Sequence, residues 1–184
     1  SLMACSDGSR QNPFLTEWNT PYGIPPFADI QVEDYIPAIE AGIEQQNKEI
    51  DVIVNNPENP TFENTVLPLE LSGEILSKVS GVLFNVSETD RTDELDSVME
   101  KALPMLTEHG DNISFNKGLY ERIAKLYHAD QSHLNREQQM VLKKRFEAFE
   151  RNGIGLSEEK QTRLREINTE MASKSQKLGN NILS

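Results

Sequence analysis

Along most of the chain, apolar residues recur at steps of three, four or seven. This is the mark of amphipathic helices, and no stretch alternates with the period of two that a strand requires. Val32, Tyr35, Ile36, Ile39, Ile43, Ile50 and Ile53 fall on one stripe, which predicts a first helix ending near Asn55-Asn56-Pro57. Pro37 lies inside that stripe. Proline is accommodated in a first turn but breaks a helix interior, so Pro37 marks the helix start and assigns the residues before it to a separate turn. A second helix is predicted to open between Thr61 and Thr65, with Pro68 in its first turn. It runs to about Val86 through Leu69, Ser72, Ile75, Leu76, Val79, Val82 and Leu83. Leu67, Leu71 and Phe84 lie off its stripe, so the expectation is a helix enclosed on more than one side.

A third helix follows Asp90 or Thr92 through Leu95, Val98, Met99, Ala102 and Leu106, and Pro104 should kink it or end it early. A short fourth runs from about Lys117 to His128. Asn135 followed by Gln138 is a capping-box pattern that starts a fifth, and Asn152-Gly153 stops it. The last helix starts at Ser157, with Glu158 and Glu159 at the positive end of its dipole. It carries Leu164, Ile167, Met171, Leu178 and Ile182 past Gly179 towards Ser184, and part of this stripe is expected to remain uncovered or to pair with another surface.

Before the helices the text is rich in Gly, Pro, Asn and Ser, which predicts an extended arm over residues 12–31 without regular structure. Trp18, Tyr22 and Phe27 should pin it to a surface, because burying an aromatic ring offsets the entropy lost on ordering the segment. The fold class is therefore all-α: about six helices over residues 32–184, the extended Pro-rich arm, and a tail of residues 1–11 read as a signal or expression remnant. A chain of 184 residues corresponds to one domain or one large portion of a bigger protein.

Charge removes one class of partner. Eighteen basic residues face thirty acidic ones, a net charge of −12, so a phosphate-rich nucleic acid would meet repulsion. No apolar run approaches a membrane span. With Cys5 as its one cysteine, the chain has no intrachain disulfide and no cysteine cluster for a metal. Leu2-Met3-Ala4-Cys5 does resemble the end of a bacterial lipoprotein signal, which makes Cys5 a candidate lipidation site. That reading places the protein in the cell envelope or periplasm; without it the expectation is cytoplasmic.

Catalytic constellations are not found. A zinc-peptidase helix needs two histidines four residues apart with a glutamate beside the first. The histidines here are His109, His128 and His133, and the nearest pair is five apart across a loop-forming Asp130-Gln131-Ser132. Each is expected at a surface or a helix end. Asp90, Asp93, Glu94 and Asp96 lack the alternating ligands and central glycine of a calcium loop and fit helix capping better. No residue is assigned as catalytic, cofactor-binding or metal-binding.

One string stands out against this plain background. Asn56-Pro57-Glu58-Asn59-Pro60-Thr61-Phe62-Glu63-Asn64-Thr65, followed by Leu69-Glu70, Ser72-Gly73 and Leu76, resembles the N-terminal region of the thimet-oligopeptidase-like zinc metallopeptidases. So do Pro25-Pro26-Phe27 to Ile30, Tyr35-Ile36-Pro37-Ala38, Phe84-Asn85, Arg151-Asn152-Gly153 to Leu156, and Arg165-Glu166-Ile167-Asn168, in register from about Asn12 to the end. Asn12-Pro13-Phe14-Leu15, Trp18 and Thr20-Pro21-Tyr22-Gly23 are more similar to the family's bacterial Dcp-type peptidyl-dipeptidase branch than to its oligopeptidase A branch.

The resemblance implies a zinc enzyme whose metal-binding helix lies far downstream, so this portion would stop short of a catalytic domain that partners it in cis. It implies that these helices form wall and cover of a cleft admitting short peptides, from which C-terminal dipeptides are removed. An oligopeptidase A-like endopeptidase portion and a stand-alone helical binding module are the alternatives.

Overall fold

The computed structural model of the chain describes residues 10–20, 23–90 and 92–182, with side chains in the last helix described to Ser175. Cys5, Tyr22 and the side chains of Leu178 and Ile182 lie outside the described residues. Among those described there are six long α-helices, one short one, a few 3-10 and π turns, and no strand. The helices are α1 (Tyr35–Val54), α2 (Leu67–Leu71), α3 (Glu74–Thr89), α4 (Asp93–Ser114), α5 (Lys117–Tyr127), α6 (Arg136–Arg151) and α7 (Glu158–Ile182).

The start of α1 follows the proline argument. Val32–Asp34 forms a separate 3-10 turn, capped reciprocally by Gln31 and Asp34, and Pro37 sits in the first turn of α1. Asn135 and Gln138 form the expected capping box of α6. Thr92 caps α4 by accepting the Leu95 N–H at 3.2 Å, and Asp93, Glu94 and Asp96 occupy that helix's first turn. The acidic stretch is thus a helix start. Pro104 neither ends nor shortens α4, which continues to Ser114. Packing against α1 and α7 offsets the hydrogen bond and strain the proline costs, about 3 kcal/mol in a helix interior. α7 likewise continues through Gly179.

The predicted second helix is not one helix. A π turn at Phe62–Val66 leads into α2, the chain breaks at Ser72-Gly73, and α3 begins on a new axis. Gly73 has φ +74°, and a Cβ there would sit 2.6 Å from the Gln46 amide. A side chain at this position would be strained by the left-handed backbone and would displace the end of Gln46. The break also corrects the expectation of an enclosed helix. α2 buries Leu69 and α3 buries Val79, Val82 and Leu83, each against its own neighbours, and Leu67, Leu71 and Phe84 are left exposed.

Two cores form, one toward each end of α1. Toward its C-terminal end Ile50 and Ile53 meet Phe62, Val66 and Leu69 and the inner faces of α5 and α6, including Leu119, Ile123, Leu142 and Phe149. Toward its N-terminal end Tyr35, Ala38 and Ile39 meet Val79, Val82 and Leu83 of α3 and Leu95, Val98, Met99 and Ala102 of α4. α1 and α3 approach closely through Gly42, where a Cβ would lie 2.9 Å from the Leu76 nitrogen. α7 packs along α4, outside both cores.

The arm joins the second core through a residue the sequence reading did not single out. Phe14, in a short 3-10 turn (Pro13–Leu15), is 1% exposed and packs 5.4 Å from the Tyr35 ring. Trp18 packs beside it, donating its indole N–H to the Pro13 carbonyl, while Phe27 is exposed and does not act as a pin. Arg10 closes the arm onto the helix start with an ion pair to Asp34 at 2.6 Å.

Candidate functional site

The three histidines do not come together. His128 and His133 are exposed, as expected, and His128 packs edge-on against Tyr127 and Phe146. His109 is not at a surface or helix end: it is buried in α4 and faces α1. It continues the stripe of Ala102 and Leu106, at seven and three residues' separation, and this was the signal available in the sequence.

The Gln46 amide donates from Nε2 to the Ser72 hydroxyl at 3.0 Å, and so presents its oxygen to His109 Nε2 at 2.7 Å. The imidazole proton therefore sits on Nε2, and Nδ1 is left buried with no partner. Burial pushes the His109 pKa below its ordinary value, keeping the ring neutral. Among the described residues no three His, Cys, Asp or Glu side chains are grouped to hold a metal. The described residues do not fit a zinc ion, and none of them is assigned a step that would need one.

The His109, Gln46 and Ser72 relay ends at the break between α2 and α3, where Glu49 accepts the Gly73 N–H at 2.8 Å. Beside it runs a groove of about 450 Å³ between α3 and α4. Leu76, Leu103 and Leu106 form its apolar floor, Ser77, Ser80 and Thr107 add hydroxyls, and Phe84 stands exposed at its edge. Apolar floor with a few hydrogen-bonding groups is the composition of a binding surface. Its lining holds no titratable side chain and no hydroxyl paired with a base.

The conspicuous string at 56–65 proves to be architecture. Thr61 and Asn64 form a reciprocal cap, each side chain accepting the other's backbone N–H at 3.1 and 2.8 Å. Phe62, Thr65 and Val66 point inward. Arg122 of α5 then grips the whole segment, donating to the Asn56 and Glu58 carbonyls at 2.9 and 3.2 Å, to Asn64 Oδ1 at 3.1 Å and to Thr65 Oγ1 at 3.2 Å. Lys125 adds a bond to Asn59 at 2.9 Å. Sequence reasoning missed Arg122, because nothing local marks an arginine whose partners lie some sixty residues upstream. Glu158 and Glu159 sit in the first turn of α7 as expected, and no helix among the described residues is long and apolar enough to cross a membrane.

Comparison with known proteins matches this architecture to one family. Residues 36–161 match the model of the neurolysin/thimet oligopeptidase N-terminal domain. The chain is 32% identical over 177 residues to a dipeptidyl carboxypeptidase of Escherichia coli K12, covering 96% of this chain and 26% of that protein. It is 34% identical over 163 residues to the dipeptidyl carboxypeptidase of Salmonella typhimurium, covering 88% and 24%. To oligopeptidase A of Escherichia coli it is 29% identical over 173 residues, covering 94% and 25%. The chain thus spans about a quarter of the length of these relatives. A helical domain stapled through the 56–65 segment, matched by the family model over most of its length, belongs to the thimet oligopeptidase family of peptidases, as its N-terminal domain.

Proposed function

We propose that the chain is the N-terminal helical part of a zinc-dependent peptidyl-dipeptidase, which removes dipeptides from the C-termini of short peptides and uses these helices as wall and cover of the substrate cleft. The observation that carries the reading is the similarity to dipeptidyl carboxypeptidases at 32% and 34% identity, against 28–30% for oligopeptidase A proteins, over nearly the whole chain. The α3/α4 groove, apolar with hydroxyls on its walls, is the surface best suited to line such a cleft. Zinc and the groups that activate water belong to a downstream domain in cis, and this chain contributes binding and exclusion.

The discriminating experiment incubates the full-length protein with an N-blocked tetrapeptide and a longer peptide, and identifies the products by mass. Successive release of C-terminal dipeptides, with loss of turnover on chelation, is the expected result. Internal cleavage without dipeptide release would replace the reading with an oligopeptidase A-like endopeptidase. The 184-residue chain alone is expected to show no turnover and no stoichiometric zinc; a tightly bound zinc with turnover would overturn the assignment of chemistry to a downstream domain. We also propose envelope attachment through Cys5. Incorporation of a fatty-acid label in cells, lost in Cys5→Ser, is the expected result, and an unlabelled protein would put the enzyme in the cytoplasm.

A further inference from the structure

A second groove of about 540 Å³ runs between α4 and α7, away from the α3/α4 surface. At its α4 wall is Asp111, 8% exposed. Asn168 of α7 donates to Asp111 Oδ1 at 2.8 Å, but Oδ2 is buried without any hydrogen-bond partner. An ionised carboxylate takes donors on both oxygens, and leaving one bare in a low-dielectric setting is costly. The feature calls for a donor, and its surroundings say which kind.

Carboxylates dominate the lining: Glu108, Asp111, Glu166 and Glu170 against the single cation Arg165. Arg165 is turned to other work, donating to Asn112 Oδ1 at 2.8 Å and lying 4.7 Å over the Phe115 ring. On the exposed flank Arg163 takes Glu166 at 2.7 Å and Lys174 takes Glu170 at 3.3 Å. The α4 side keeps Asp111 Oδ2, and Glu108 has no cation among the described residues. The Pro104 ring, the threonine methyls and the stems of Arg165 and the glutamates supply apolar wall between the charges. A bare divalent ion would need a shell of about six oxygens, and the described carboxylates are not grouped to give one. An alkyl chain ending in a cation fits both the wall and the charge.

We propose that the α4/α7 groove is a binding site for the head of a basic side chain, a guanidinium or alkylammonium, with Asp111 Oδ2 as its buried acceptor and Glu108 as a second anionic contact at the mouth. The cation comes either from a free peptide or from a basic residue of the longer polypeptide; the second source rests on the function proposed above, and the first does not. Neither source alters the chemistry of the site.

The test titrates n-butylguanidinium into the isotope-labelled 184-residue chain, with n-butylurea as the neutral control of the same shape. Expected are saturable amide shifts centred on Asp111, Glu108, Arg165 and Thr169 with the cation and not with the urea. Removing a hydrogen bond to a charged group predicts that Asp111→Asn weakens binding about ten- to a hundredfold. That variant keeps an oxygen for Asn168, and if it nevertheless misfolds, Glu108→Gln on the exposed face carries the test, with an expected weakening of about two- to fivefold. Equal shifts from the urea, no saturation, or unchanged affinity in a folded Asp111→Asn or in Glu108→Gln would overturn the proposal and leave the carboxylate to a bound water. Repeating the titration on the full-length protein separates the sources. A response that persists there identifies a site open to peptide, and one lost there while present in the 184-residue chain identifies a residue of the longer polypeptide already seated.

Discussion

Toward the C-terminal end of α1, around α2, α5 and α6, every buried polar side-chain atom among the described residues has a partner: Arg122 uses its guanidinium on four acceptors, two reciprocal caps close the helix starts, and Tyr127 stacks on Phe146 at 4.1 Å. The half built from the arm, α3, α4 and α7 is different. Both bare buried side-chain atoms among the described residues, His109 Nδ1 and Asp111 Oδ2, lie on α4, whereas grooves and exposed apolar residues occur in both halves. Native structures leave few buried polar groups unpaired, and each such group calls for a specific cause such as strain, a functional role or a bound water or ion. The contrast separates a half whose buried polar side chains are all paired from one with two bare buried atoms, and the proposed peptide cleft and the cation site both fall on the latter.

The comparison can be broken by showing that the two halves do not differ in what holds them. The largest effect expected is for Phe14→Ala, which empties a fully buried site at the junction of arm and core and should lower stability by about 3–5 kcal/mol. Urea unfolding measures this. A loss under about 1 kcal/mol, below the range for emptying a packed core site, would mean the arm is an ornament on that half and not part of it.

Arg122→Ala tests the scaffold and should cost about 1.5–3 kcal/mol, the range for hydrogen bonds to a charged group. Arg122→Lys should recover only part of it, since one ammonium cannot reach four acceptors held by a planar fork. Full recovery by lysine would show that charge, and not the geometry of the grip, holds the 56–65 segment.

The smallest effect concerns pH and the α4 half. His109 has its folded pKa below the ordinary 6.5, so as pH falls the unfolded chain takes up the proton first. The contribution of the neutral ring is therefore fully present above about 6.5 and is lost as pH drops toward the folded value. Urea midpoints between pH 7.5 and 5 should fall more steeply for the native chain than for His109→Gln, and parallel slopes would show that the buried ring does not titrate with unfolding.

Much of the helical layout was legible because it is set locally. The separate turn before Tyr35, the α6 capping box and the stop at Asn152-Gly153 each depend on residues within a turn of one another. The break at Ser72-Gly73 was not read, although its glycine is plain in the text. A glycine inside an apolar stripe is compatible with a continuous helix; here Ser72 is extended and Gly73 left-handed, with the Gly73 N–H held by Glu49, 24 residues upstream. The functional surfaces were less legible still. His109 looked like a helix-end residue because its partner Gln46 is 63 positions away, and Asp111 resembled any acidic residue late in a helix.

By itself the sequence determined an all-helical chain, the positions of most caps, a net acidic charge, and a resemblance to a peptidase family. Backbone hydrogen bonds, the helical period and net charge are properties of neighbours or of sums, and a sequence displays both directly. Only the tertiary structure decided that Phe14 and not Phe27 anchors the arm, that Leu67, Leu71 and Phe84 face outward, that Arg122 clasps the 56–65 segment, and that Asp111 is buried with one oxygen bare. Each of these depends on which helix lies opposite, and the pairing of distant faces is fixed by packing the whole chain at once, not by any window of it.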